Sequence, residues 1–435
     1  MDRRTFLGVV AVAGVALSRP ALAAAKVPEL RIARILVQET KGRRLTPVAR
    51  NAYADYRGYD VSETILRIRT ANGVEGIARA STSDPAILGR LIGLDAVALF
   101  SWSGDRITGP APDHAALLAE LGGSDIALVD LIGRAMKKPA YALLGAPVRD
   151  QIAVYDSSIY MEDLLTADQL TDVAYLQGRG VPANPVLLPA IKAEWILKSR
   201  PEGIRSLKIK TGRSRWMANP EEALQRDIDI THAIRNAVGP DIQLLVDANK
   251  DYRPSPELAT RYAAAVQRDD LYLLEEMFPE EQTEALIKLR QSLRAAGNPV
   301  KLAYGESHRG GVPDAVYELR IQVADGRTEP LVDIEQADMN AHGFLYLRKK
   351  AEAQRSLGMT MAPHNFGSKM GLYAMTHLSM VVPNWEICEL DDSTFPGIRA
   401  DGIQVANGVA KCTGSPGLGV ALVDEHLASP KLDLS

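Results

Sequence analysis

Cysteine is nearly missing. The chain has only Cys388 and Cys412, too few for a tetrahedral zinc site, and sequence leaves open whether they pair. No run of basic residues occurs and the net charge is −4, which argues against nucleic acid and anionic membranes as general partners. Low-complexity tracts and short-period repeats are also lacking, which excludes a repeat array. The apolar stretch nearest the start, Phe6 to Leu17, is too short to span a bilayer comfortably. What remains is ordinary globular chemistry, 46% hydrophobic and 24% charged. The 435 residues suffice for one large domain or two ordinary ones.

The first residues form a separate unit. Arg3 and Arg4 precede the apolar stretch, and Ala21-Leu22-Ala23 follows it. Charged, apolar, then small is the order of a secretory signal. The adjacent arginines followed by Phe6-Leu7-Gly8, with Arg19 near the cleavage region, resemble a twin-arginine export signal. Residues 1–25 are therefore expected to be a signal peptide, and the mature protein to be exported to the periplasm without stable membrane insertion. An uncleaved membrane anchor is the alternative. This route exports folded proteins, so a metal can be loaded beforehand.

From 26 to 150 the text reads as an α+β segment. Two strand-like runs flank Asn72-Gly73, a strong hairpin signal. Positions 41–60 read as a polar connection, and about 84–145 as helical. From 151 to 394 short apolar runs alternate with helical text: "IAVYDS", "SLKIKT", "IQLLVDAN", "LYLLEEM", "VKLAYGE", "LVDIEQAD", "MTMAPHN" and "WEICEL". One helix starts near Pro220 and stops at Gly239-Pro240; another starts at Ser255-Pro256. The stretch 178–204 reads as a long Pro-containing connection. The fold class predicted is α/β, a (β/α)7-8 TIM-like barrel preceded by a capping domain. The loop-like tail, 395–435, is expected to return to that cap.

Barrel chemistry sits at the C-terminal ends of strands. Lys208 and Lys210, two apart in "LKIK", share one face of a strand. The next strands end in Asp247 with Asn249, Glu275-Glu276, Glu306, Asp338, His364 and Glu389. Steps from Asp247 through Glu275, Glu306, Asp338 and His364 to Glu389 are 28, 31, 32, 26 and 25 residues, each close to one β/α unit. Asp247, Glu275 and Glu306 form an oxygen-only cluster, which suits Mg²⁺. Two ammonium groups beside a divalent cation are expected to depress one another's pKa, preparing a lysine as general base. A carboxylate, Asp338, one strand before His364 reads as an acid/base dyad.

These motifs together resemble the enolase superfamily, and within it the mandelate racemase subgroup, over nearly all of the mature chain. The resemblance rests on "DIALVDLIGRAMKKPAYALLG", "KIK", "VDAN", "LLEE", "GES", "QAD", "PHN" and the late "GLG". It implies one Mg²⁺ per subunit on Asp247, Glu275 and Glu306. Lys210 is then the base on one substrate face, and His364, held by Asp338, the acid/base on the other. Lys208 contacts the substrate carboxylate and lowers the pKa of Lys210. Glu389 hydrogen-bonds that carboxylate, and Asn249 touches substrate. A homo-oligomer is also implied.

Some positions depart from the pattern. Proline does not directly follow the Glu pair, which leaves Glu276 as a rival to Glu275, and Glu386 competes with Glu389. The sixth strand end lacks lysine, which fits the muconate-lactonising and dipeptide-epimerase subgroups worse. The shared step is abstraction of the proton α to a carboxylate. Dehydration of an acid sugar to a 2-keto-3-deoxy acid is the expected outcome, racemisation or epimerisation of a 2-hydroxy acid the alternative. An exported acid-binding protein without turnover is a third reading. The substrate partner is a small carboxylate; specificity is expected from the polar stretch 41–60.

Overall fold

The computed structural model describes residues 29–171, 173–306, 315–322, 326 and 328–435; the signal expected at 1–25 lies outside them. The described chain opens with β1 (Ile32–Val48) and β2 (Gly58–Thr70), a long antiparallel pair, to which β3 (Glu75–Arg79) adds across the Asn72-Gly73 turn. Gly73 takes φ 86°, the left-handed conformation a tight hairpin turn demands. Contrary to the sequence reading, β1 does not stop before the polar stretch. Its ladder to β2 runs on to Arg43↔Asp60 and resumes at Val48↔Gly58, because the polar side chains alternate sides while the backbone stays paired. Only residues 49–57 form a loop.

The text read as helical contains a second hairpin, β4 (Phe100–Ser103) with β5 (Arg106–Pro110). It turns at Gly104, φ 62°. The helix Asp125–Met136 follows and packs on β3. Gly76 lies so close to it that a Cβ there would be 2.1 Å from the Ala127 carbonyl oxygen.

A parallel sheet occupies the second half. It comprises β6 (Ile152–Ile159), β7 (Ser206–Lys210), β8 (Gln243–Asp247), β9 (Leu271–Glu275) and β10 (Lys301–Tyr304). After a small antiparallel hairpin of β11 (Arg320–Gln322) and β12 (Thr328–Pro330) come β13 (Ile334–Glu335), β14 (Thr360–Met361) and β15 (Cys388–Leu390). Neighbours pair in parallel from β6 through β10 to β13 and β14, and β15 pairs with the far side of β6. Trp385, just before β15, makes a parallel bridge to Met361 of β14. The helices Leu188–Ser199, Pro220–Val238, Pro256–Ala265, Thr283–Ala295, Met339–Ser356 and Lys369–Ser379 alternate with these strands. The first of them lies in the stretch read as a connection, with Asn184 capping the turn before it at 3.2 Å.

Both faces of the parallel strands are buried. On β7, Leu207 and Ile209 join the main core, while Lys208 and Lys210 turn to the opposite face. On that face Tyr155, Leu245, Leu273, Ala303, Ile334, Ala362 and Ile387 gather in a separate apolar cluster. The tail is not loop-like. β16 (Ser393–Thr394) and β21 (Leu432–Leu434) pair with β1. β17 (Ile398–Ala400) pairs with β20 (Val420–Leu422), and β18 (Ile403–Ala406) with β19 (Val409–Cys412), which also pairs with β6. Both cysteines are free. Among the described residues no helix is long and apolar enough to cross a membrane.

Candidate active site

Register assembles the site. Lys210 of β7 stands opposite Asp247 of β8, which stands opposite Glu275 of β9. Ala303 of β10 is level with Glu275, and Glu306 follows just beyond that strand. Each of Asp247, Glu275 and Glu306 offers a carboxylate oxygen, all within 4.8 Å of one another. Asp247 and Glu275 are buried, Glu306 half-buried. Burial, reinforced by Asp247 and opposed by Lys208 and Lys210, pushes Glu275 up to about 7. One oxygen of Glu306 is buried without a hydrogen-bond partner. Three oxygen donors with an unsatisfied buried lone pair fit a hard divalent cation.

The lysines meet these acids directly. Lys210 is ion-paired with Asp247. Lys208 lies 3.1 Å from Glu275 Oε2, 3.4 Å from Glu389 Oε1 and 3.9 Å from Asp247 Oδ2. The depression expected of the two lysines is for a site that also holds a divalent cation; the side chains by themselves act the other way. Burial alone pulls them down, but Asp247 on Lys210, and Glu275 with Glu389 on Lys208, outweigh it and hold both ammonium groups above the usual range. Lys208 does act on Lys210 in the expected, lowering direction.

Across the trio, His364 Nδ1 is 2.7 Å from Asp338 Oδ2, and its Nε2 is 3.5 Å from Glu306 Oε1. Burial lowers the imidazole pKa, but Glu306, the Asp338 hydrogen bond and Glu389 raise it to about 10. Asp338 Oδ1 accepts from the Ala341 N–H at 2.7 Å, capping the helix Met339–Ser356. Its position is thus fixed by backbone as well as by His364.

Placement separates the members of the two rival pairs. Glu276 adopts φ 43° and pairs with Lys250 at 3.3 Å, outside the trio. Glu386 pairs with Lys301, the first residue of β10, at the opposite end of the strands. Glu389 accepts from the Asn365 N–H at 2.8 Å beside Lys208. Asn249 donates to Asp247 through its backbone N–H at 2.7 Å and Nδ2 at 3.1 Å; it orients a carboxylate of the trio.

Several neighbours escaped the sequence reading. Tyr155 Oη is 3.4 Å from Lys208 Nζ; period two along "IAVYDS" puts Tyr155 opposite the core-facing Val154, which was the available signal. Loop 49–57 reaches the parallel strands' side. Asn51 Oδ1 accepts from the N–H groups of Tyr53 at 3.2 Å and Ala54 at 2.7 Å, the Asn51 carbonyl accepts from Trp216 Nε1 at 2.8 Å, and Arg215 donates to the Tyr53 carbonyl. Tyr53 itself is exposed, with Lys210, Glu306 and Asp247 near enough to act on its phenol. Arg79 of β3 donates to the carbonyls of Phe366 and Gly367, both at 3.3 Å, just past His364. Such contacts join residues far apart in sequence, and no local pattern marks them.

With this geometry in place, comparison with known proteins is informative. Residues 193–426 match the family model described as enolase C-terminal domain-like. A D-galactonate dehydratase family member from Streptomyces bingchenggensis is 28% identical over 320 residues, covering 72% of this chain and 73% of that one. Among solved structures, a galacturonate dehydratase from a Geobacillus species, complexed with D-galacturonate and 5-keto-4-deoxy-D-galacturonate, is similar with TM-score 0.73. It is 26% identical and covers 91% of this chain and 95% of its own. A mandelate racemase/muconate lactonizing protein, also from a Geobacillus species and complexed with magnesium and tartrate, has TM-score 0.75 at 26% identity. The match covers 94% of this chain and 96% of that one.

Proposed function

The chain belongs to the enolase C-terminal domain-like family, and on that basis we propose that it is a lyase that removes water from an acid sugar, giving a 2-keto-3-deoxy acid. One observation carries the reading: an acid/base group flanks the carboxylate trio on each side, Lys210 against Asp247 and His364 3.5 Å from Glu306. The dehydratases among its relatives support the same outcome.

Asp247, Glu275 and Glu306 would hold Mg²⁺, in line with the magnesium complex of a similar structure. Such a cation would offset most of the charge of the three carboxylates and would stabilise negative charge developing on a substrate carboxylate. Lys208 adds a fixed positive charge beside that carboxylate. Lys210, released from Asp247 and disfavoured as a cation by Lys208, takes the proton from the adjacent carbon. The electron pair left on that carbon then expels the β-hydroxyl, to which His364 donates a proton, so the group leaves as water. The enol that remains tautomerises to the 2-keto acid. Asp338 fixes the His364 ring through Nδ1, leaving Nε2 for transfer. Burial raises the Glu389 carboxyl pKa, but Lys208, His364 and the Asn365 N–H outweigh it and hold the group below the usual carboxylate range, so donation from Glu389 to a substrate carboxylate would need a proton taken up against that bias.

The same pair can instead return the proton on the opposite face, which is racemisation. Architecture follows the same reading. The apolar cluster inside the parallel strands, the Met361–Trp385 bridge and the pairing of β15 with β6 support a closed barrel over 151–394. Residues 26–150 and 395–435 then form its cap. Export by the twin-arginine route belongs to the proposal and rests on residues 1–25 alone.

The test is incubation of the mature protein with Mg²⁺ in D₂O against a panel of acid sugars and 2-hydroxy acids. Loss of water with a 2-keto product supports dehydration. Deuterium at the α-carbon without water loss replaces it with racemisation, and neither result with any member overturns both.

A further inference from the structure

A second cavity lies away from the strand-end site. Its volume is about 440 Å³, and it opens between the β4–β5 hairpin, the C-terminal half of the helix Met339–Ser356 and the segment after the helix Lys369–Ser379. Three guanidinium groups line it, Arg106, Arg348 and Arg355, with one carboxylate, Glu352. Ile107, Leu144 and Val381 supply an apolar wall.

The arginines are not consumed by partners. Arg348 uses Nη1 alone, donating to the carbonyls of Ile107 at 2.7 Å and Leu144 at 2.8 Å. These bonds anchor its base to the cap, so its remaining N–H groups are pre-positioned. Among the described residues the side chains of Arg106, Arg355 and Glu352 make no hydrogen bond or ion pair. Compensation of a helix dipole accounts for Arg355 in the last turn. It does not account for Arg106, which comes from a hairpin, or for Arg348, two turns earlier.

We infer that this cavity is a binding site for a small organic dianion, a phosphate monoester or a dicarboxylate. Three guanidinium charges face Glu352 and, behind Arg348, the buried Asp125; positive charge is left over, and it sits on Arg106 and Arg355. Guanidinium forks match phosphate and carboxylate oxygens in geometry. The apolar wall favours an anion carrying a carbon skeleton over inorganic phosphate, and the volume lies in the range of small-molecule sites. The inference does not depend on the dehydratase reading.

Calorimetric titration of the mature protein with glycerol 3-phosphate, succinate and inorganic phosphate tests it. Expected is one-to-one binding of at least one organic dianion, tighter than inorganic phosphate, and the stronger of the two organic probes identifies the head group. Arg106→Gln and Arg355→Gln should each weaken it about tenfold, the loss of one charge-assisted hydrogen bond, and Glu352→Gln should strengthen it. Lys210→Ala, a change at the other site, should leave it untouched. Loss of binding in Lys210→Ala would place the anion at the strand ends and overturn the inference. So would an affinity indifferent to Arg106→Gln and Arg355→Gln, or no heat at millimolar concentrations of any probe.

Discussion

Two lysines separated by one isoleucine are the site's most legible signature. Period two puts both on one face of β7, and the core takes Leu207 and Ile209 on the other. The acids were legible for a similar reason: each ends an apolar run, and runs recur at the spacing of a β/α unit. Adjacent residues were not separable in this way. Glu275 and Glu276 differ by a backbone dihedral, φ 43° at Glu276, that no residue type announces. Contacts such as Tyr155 with Lys208, 53 positions apart, were equally silent. Two substitutions divide the proposed labour. Lys210→Ala should lower turnover by roughly 10²–10⁴-fold, the usual worth of a general base, and remove α-deuterium exchange with it; a pure binding protein would show altered affinity only. His364→Asn should abolish release of water but leave Lys210-dependent deuterium exchange at the α-carbon, read by mass spectrometry in D₂O. If His364→Asn loses exchange while Lys210→Ala retains it, the roles of the two are reversed.

Elements were less legible where a distant residue ends them. The segment Met339–Ser356 breaks at Gly343, φ 74° and ψ −169°. The N–H groups beyond the break are capped from another element: Asp125 accepts from Phe344 at 2.9 Å and Leu345 at 2.8 Å. Nothing near Gly343 in sequence shows a cap 218 residues away. A Cβ at Gly343 would sit 2.2 Å from Asp125 Oδ1 in a conformation that L-residues resist. Gly343→Ala should therefore cost roughly 2–4 kcal/mol, combining backbone strain and overpacking, seen as a lower denaturation midpoint. Asp125 also titrates unusually. Burial, against the Leu345 and Phe344 N–H groups and Arg348, pushes its carboxyl up to about 7, from about 3.9 unfolded. Between those values the folded chain binds the extra proton, so this group's contribution to stability falls as pH rises and is level above about 7. Asp125→Asn lacks that dependence. The stability advantage of the unmodified protein over Asp125→Asn should shrink from pH 4 to 7 and then level off, followed by thermal melts across that range.

At the scale of the whole molecule, the N-terminal sheet and the parallel strands are joined around charged groups rather than over apolar surface alone. Arg44 of β1 is buried between Asp391 at 2.6 Å and Asp392 at 3.2 Å, just past β15. Buried Glu63 of β2 accepts from Ser368 Oγ and from the Lys369 N–H at 3.1 Å, capping the helix that follows His364. Loop 49–57 is tied down by Trp216 and Arg215 from beyond β7. The strand ends thus lie where two sheets meet, with Asp247 and Glu275 buried and Glu306 half-buried. Crowding of like charges in such a place opposes folding. A divalent cation that binds only the folded arrangement reverses that penalty, contributing about 2.7 kcal/mol at a hundredfold excess over its dissociation constant. The melting temperature of metal-stripped protein should accordingly climb with added Mg²⁺ and fall again with EDTA, with activity returning in step. Glu306→Gln removes one charge from the trio and the best-exposed of its donors. It loses the repulsion from Asp247 and Glu275 but also the attraction to His364 and Lys210, so its melting temperature without metal should change little, while its response to Mg²⁺ should be far weaker. Equal Mg²⁺ responses in both proteins would mean that the cation stabilises the fold from somewhere other than Asp247, Glu275 and Glu306.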